Sequence, residues 1–154
     1  MPLAYINIGS NQGDRMANID RAVAQIESAL GATACRAPLY QSPAWGYDSA
    51  LPYLNLGITV DTTMEAPKLM AVLLDIQQSI NPASHRTADG TYADREIDID
   101  LISLGDLTVD TPDLTLPHPR MHLRTFVLVP MATLLPTWRH PATSLTPAEM
   151  LHRL

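Results

Sequence analysis

The sequence predicts an α+β fold in which helices pack on a mainly antiparallel sheet. Two observations carry that expectation. Short apolar runs alternate with longer segments of helical period in the order βαββα, followed by a further strand pair and helices. The 154 residues also show no repeat, no low-complexity tract and no dividing linker, while 46% of them are hydrophobic, enough to build one core. A single domain spanning 1–154 is expected.

Leu3 to Ile8 is an apolar run that stops at Gly9-Ser10-Asn11, a buried strand followed by a turn. Asp14 is placed to cap a helix running to about Leu30, with Ile19, Val23, Ile26 and Leu30 three or four apart and Gly31 as its stop. Thr33–Tyr40 reads as a second strand, and Gln41–Leu51, with Pro43, Gly46 and Asp48, as a loop. Tyr53–Val60 is a third strand. Pro67 suits the first turn of a helix that carries Leu69, Val72, Leu73 and Ile76 and ends near Ile80. Asn81–Gly90 is polar and reads as a loop. Ile97–Leu104 is a β-branched strand interrupted by two aspartates, and the three prolines of Pro112–Pro119 restrict that stretch to extended or loop structure. Thr125–Leu135 reads as a helix with Pro130 as a kink or boundary, and Pro147–Leu154 as a short terminal helix.

Charge narrows the function classes. Ten Lys and Arg against sixteen Asp and Glu give −6, which disfavours an extended nucleic-acid footprint. Nine of the ten cations are Arg, a skew that suits bidentate anion recognition and that genome composition also produces. A lone cysteine, Cys35, rules out an internal disulfide framework. The first residues carry no basic signal-peptide region, and no apolar run approaches the roughly 20 residues of a membrane helix. The expectation is a soluble cytoplasmic protein.

Arg95-Glu96-Ile97-Asp98-Ile99-Asp100-Leu101-Ile102 is the most informative stretch. On a strand Asp98 and Asp100 share one face, and Ile97, Ile99 and Leu101 the other. Two carboxylates side by side repel unless a cation sits between them, and Mg²⁺ is commonly held by one or two carboxylates together with substrate phosphates. Arg95 is placed to reach a phosphate oxygen. The bland alternative is a solvated strand face with a surface ion pair.

A second cluster runs from Leu114 to Phe126. Prolines on both sides of His118 fix its backbone, and Arg124 lies nearby, which suits an anion contact as well as an ordinary surface role. His118 and His122 have i, i+4 spacing for zinc, but Pro119 interrupts the helix such a site needs. A third cluster holds Ser42-Pro43-Ala44-Trp45-Gly46 and Tyr53-Leu54-Asn55. Tyr53 and Asn55 share a strand face, pairing a stacking plane with an amide that both donates and accepts, a combination that fits a flat heterocycle or plain strand packing.

Taken together and in this order, these clusters resemble the 6-hydroxymethyl-7,8-dihydropterin pyrophosphokinase family. The likeness runs over Ala4-Tyr5-Ile6-Asn7-Ile8-Gly9-Ser10-Asn11, Tyr40-Gln41-Ser42-Pro43, Tyr53-Leu54-Asn55, Arg95 to Asp100, and Leu116-Pro117-His118 to Phe126. It implies a ferredoxin-like αβα sandwich that moves pyrophosphate from ATP to a pterin hydroxymethyl group and leaves AMP. By the same resemblance Asp98 and Asp100 hold two Mg²⁺ ions, and Arg95 stabilises charge on the transferring group. His118 contacts a phosphate, and Arg124 sits between nucleotide and pterin. Tyr53 and Phe126 sandwich the ring, while Asn55 and the backbone of Ser42, Pro43, Ala44 and Trp45 read its edge. Thr115 and the Ile99 backbone lie against the adenosine.

The chain departs from the family pattern at the end of the second helix. Family members usually carry E-x-x-x-G-R there. In this chain Gln78 stands at the acid and Pro82-Ala83 at Gly-Arg, with Arg86 the nearest replacement cation. Pro119 follows His118 where a phenol is often found, and Asp94 precedes Arg95. Loss of one phosphate-facing Arg costs ~2–4 kcal/mol of transition-state stabilisation. A slower enzyme is expected, with a binding-only paralogue as the alternative. The two polar segments Gln41–Leu51 and Asn81–Asp94 are expected to act as lids.

Overall fold

The computed structural model describes residues 2–42, 52–81 and 97–154. Strand β1 (Leu3–Ser10) is buried along nearly its whole length, as a strand covered on both faces must be. Helix α1 (Arg15–Leu30) starts on the Asp14 carboxylate, which accepts from the Ala17 N–H at 3.1 Å, and stops where Gly31 turns left-handed at φ 65°. Strands β2 (Cys35–Arg36), β3 (Tyr40–Ser42) and β4 (Tyr53–Asp61) follow. Helix α2 (Ala66–Ile80) carries proline in its first turn and buries Leu69, Leu73, Ile76 and Ile80 on one stripe. Strand β5 (Asp98–Leu104) completes the sheet.

The sheet order is β2-β4-β1-β5, with β3 also on β4, and its paired strands run antiparallel. Each of α1 and α2 joins two strands that are not neighbours, the split βαβ arrangement of a ferredoxin-like sheet. One core, built from Ile6, Ile8, Ile26, Ile58, Leu73 and Ile99, lies where α1 and α2 meet the sheet. A second, built from Tyr5, Ile102, Val127, Leu128 and Met131, lies under α3 (Thr125–Leu134) and α4 (Pro147–His152). The expected αβα sandwich is therefore present.

Two expectations need correction. Thr33–Tyr40 is two short strands, because Pro38 has no N–H for the ladder. The register shows the break: Arg36 faces Ile58, whereas Tyr40 faces Asn55, one residue out of step. Gln41 and Ser42, expected in a loop, belong to β3, and residues 43–51 lie outside the described residues. The proline-rich stretch is extended in part, as expected: β7 (Thr115–Leu116) pairs with β6 (Val109–Asp110) as a small separate ribbon. Pro130 sits inside α3 without ending it, and its ring packs on Gly57.

A β-bulge shapes the end of β5. Leu101 faces Ile6 and Ser103 faces Tyr5, so Ile102 is the extra residue. Its carbonyl accepts from the His118 N–H at 2.8 Å, which docks the proline-flanked segment alongside β5.

Candidate active site

Strand alternation sorts the sheet into two chemically different faces. Ile97, Ile99 and Leu101 enter the core under α1 and α2, which leaves Asp98 and Asp100 together on the opposite face. The ladder then fixes their neighbours. Across the sheet run two rows, Asn55–Gly9–Asp98 and Gly57–Asn7–Asp100. The aspartates thus stand at one end of a floor whose other end carries Asn55, with Tyr53 two residues before it.

Glycine keeps that floor flat. A side-chain carbon on Gly9 would stand 3.2 Å from Asn55 Oδ1 and 3.3 Å from Tyr53 Cδ1. Asn55 is itself held by its amide, which donates to the Tyr40 carbonyl at 3.3 Å and the Tyr53 carbonyl at 3.4 Å. Its carboxamide oxygen faces the space over Gly9.

The wall above comes from the start of α3, which packs on β3 and β4. Arg124, the residue before the helix, has Nη1 3.8 Å from Asp100 Oδ2, and its side chain is 15% exposed against 31% for the aspartate. Its guanidinium carbon lies 5.5 Å from the centre of the Phe126 ring, close enough for a cation–π contact. Arg124 Nε is buried without a hydrogen-bond partner among the described residues. Asn7 Oδ1, in the row of Asp100, is likewise buried and unpartnered there.

His118 is held beside β5 by its N–H bond to the Ile102 carbonyl. Burial, followed by the charges of Arg124 and Arg120, pulls its pKa down to about 4. The imidazole is therefore neutral at pH 7. Nδ1 accepts from the Arg120 N–H at 3.1 Å, so the ring proton resides on Nε2, a donor without net charge. Thr115 lies on β7, paired with Asp110. A cavity of about 640 Å³ opens beyond His118 and Thr115, bounded by His122, His140 and Met150, and Asp98 and Asp100 do not line it.

The other expected residues divide as follows. Ser42 is paired with Tyr53 through β3 and β4, which places its backbone beside the site. Pro43, Ala44, Trp45, Arg86 and Arg95 lie outside the described residues. Gln78 is exposed on α2. The side chain that reaches β5 is Gln77, whose Oε1 accepts from the Ile99 N–H at 2.8 Å. Helical period could have found it, since position 77 follows buried Leu73 by one turn and Gln78 points away.

The donor set fits a hard divalent cation. It is all oxygen, and Asn7 adds a buried neutral oxygen in line with Asp100. No group of three or more His, Cys, Asp or Glu is gathered among the described residues. A small set of this kind suits Mg²⁺, which usually binds through one or two carboxylates plus phosphates and water and seldom in an all-protein cage.

Fold and site together define an α+β sandwich that carries two carboxylates and an arginine beside a flat, glycine-floored strip of the sheet. The sequence profile of the 7,8-dihydro-6-hydroxymethylpterin-pyrophosphokinase (HPPK) family matches residues 5–136. The chain belongs to that family. It is 30% identical over 142 residues to a 2-amino-4-hydroxy-6-hydroxymethyldihydropteridine pyrophosphokinase of Porphyromonas gingivalis, covering 92% of this chain and 95% of the relative. The enzyme of the same name from Bacillus subtilis is 31% identical over 143 residues, covering 92% and 83%. A crystal structure of an HPPK-DHPS with substrates superposes over 99% of this chain with a TM-score of 0.76 at 13% identity, a likeness of fold. This chain spans 43% of that longer one.

Proposed function

We infer that the protein transfers the pyrophosphoryl group of ATP to the hydroxymethyl group of 6-hydroxymethyl-7,8-dihydropterin and releases AMP. The observation that carries this reading is the placement of Asp98 and Asp100 on one face, with Arg124 at Asp100 and Asn55 across the flat Gly9. One end of the floor suits a metal–polyphosphate complex and the other a planar heterocycle.

The chemistry follows from that division. The substrate hydroxyl oxygen attacks the β-phosphorus, the bond from that phosphorus to the oxygen bridging it to the α-phosphorus breaks, and AMP leaves with the bridging oxygen. The hydroxyl proton passes to water. Positioning and charge stabilisation do most of the work in such a transfer. Asp98 and Asp100 hold two Mg²⁺ ions in this reading, and the metal's contribution is to neutralise phosphate charge. Arg124 places its guanidinium between phosphates and ring. The His118 Nε2–H donates to a phosphate oxygen. Tyr53 and Phe126 clamp the ring while Asn55 and the Ser42 backbone read its polar edge, and Thr115 with the Ile99 backbone borders the adenosine. Arg95 serves the transferring group, with Arg86 as the replacement loop cation.

Strands β1 to β5 form one sheet with a core on each of its faces, which supports a single domain. No described helix is long and apolar enough to cross a membrane. A monomeric cytoplasmic enzyme is the matching proposal. The test is AMP formation from ATP with and without the hydroxymethyl-dihydropterin: AMP only in its presence supports the reading, and AMP formed equally without it, or none with it, contradicts it.

A further inference from the structure

Strand β5 carries both aspartates yet lies, among the described residues, at the edge of the sheet, so the outward N–H and C=O groups of its first half have no described neighbouring strand. The C-terminal end of α2 supplies the partners through side chains. Asn81 forms a reciprocal pair with Ile97, its Nδ2 donating to the Ile97 carbonyl at 2.6 Å and its Oδ1 accepting from the Ile97 N–H at 3.0 Å. One turn earlier, Gln77 Oε1 accepts from the Ile99 N–H at 2.8 Å. These are the backbone groups on either side of Asp98, and Ile99 also immediately precedes Asp100. The two amides replace a missing strand where the carboxylates are mounted.

The anchoring is specific to these positions. Asn81 closes α2, with its own N–H bonded to the Gln77 carbonyl at 3.0 Å, and it precedes Pro82, which disfavours continuation of the helix. Gln77 lies one turn before it, so both amides face the strand. On the other edge, β1 holds β5 with Gly9 opposite Asp98 and Asn7 opposite Asp100.

We propose that Gln77 and Asn81 are positioning residues for the metal site, holding the outer edge of β5 so that Asp98 and Asp100 keep one spacing while a divalent cation and its nucleotide bind. Their side chains bond to the backbone of Ile97 and Ile99, and they act through the strand. This inference rests on the assignment of the aspartates as metal ligands. Partners that orient metal ligands usually matter by ~10–100-fold in affinity or activity.

The test compares wild type with Gln77→Met, which keeps the length of the side chain and removes the acceptor, and with Gln77→Glu, which keeps an acceptor oxygen. Ser79→Ala is the control, since Ser79 bonds to Gln25 of α1. Three quantities are read: exchange of the Ile99 amide hydrogen, Mn²⁺ affinity in the presence of a non-hydrolysable ATP analogue, and the Mg²⁺ dependence of pterin-dependent AMP release. Gln77→Met is expected to speed Ile99 exchange and to weaken Mn²⁺ binding ~10-fold or more. Its half-saturating Mg²⁺ should rise in parallel, with kcat at saturating Mg²⁺ and the pterin KM within about twofold of wild type. Gln77→Glu should restore the protection. Faster exchange at Ile99 with unchanged Mn²⁺ affinity would overturn the proposal, as would undiminished protection. Wild type that binds Mn²⁺ and analogue but releases no AMP would remove the reaction, while the Mn²⁺ ratio would still decide this inference.

Discussion

Gly9→Ala separates the two halves of the site most cleanly. The added carbon would stand 3.2 Å from Asn55 Oδ1 and 3.3 Å from Tyr53 Cδ1, a few tenths of an ångström inside ordinary contact. Asn55 cannot simply retreat, because its amide is tied to two carbonyls at 3.3 and 3.4 Å. Overpacking of this kind costs ~1–3 kcal/mol, and a shift that breaks one amide bond costs about 1 kcal/mol. Expressed at the ring end alone, that range weakens pterin binding by roughly 5–150-fold. The atoms nearest the new methyl all belong to Asn55 and Tyr53, so affinity for the magnesium–nucleotide complex should fall less than affinity for the pterin. Calorimetric titration of each ligand, with thermal unfolding as a check on the fold, makes the comparison. Unchanged pterin affinity in a folded variant, or an equal loss for both ligands, would refute the reasoning.

Tyr5→Phe should stabilise the protein. The phenol lies over Gly57, and its hydroxyl is buried with no hydrogen-bond partner among the described residues. Removing it relieves an unmet desolvation cost of about 1 kcal/mol, ~2–4 °C in melting temperature for a chain of this size; a lower melting temperature would contradict the packing described. His118 should titrate near its depressed value of about 4, against an ordinary 6.5, in an NMR pH series. Since the unfolded chain takes up that proton first, stability at this group is complete above about 6.5 and falls as pH drops towards 4. Binding of a nucleotide triphosphate should raise the pKa of His118, and a pKa unmoved by nucleotide would take it out of the phosphate site.

Much of this architecture was legible because it depends on period. Alternation on β5 put Asp98 and Asp100 on one face, and the three-to-four spacing of Ile19, Val23 and Ile26 marked the buried stripe of α1. Position across the sheet was not legible. That Gly9 lies between Asn55 and Asp98, and Asn7 beside Asp100, follows from register, which only the assembled sheet supplies. Thr33–Tyr40 reads as one strand straight through Pro38, and nothing local says that pairing resumes one residue out of step at Tyr40. At the end of α2 a motif alignment pointed to Gln78, whereas helix geometry selects Gln77.

The central claim is tested most directly by titrating magnesium with a non-hydrolysable ATP analogue into wild type and Asp98→Asn. Wild type should give magnesium-dependent binding heat, and the variant should lose it at an unchanged unfolding midpoint. Binding of equal strength in both proteins would contradict the account.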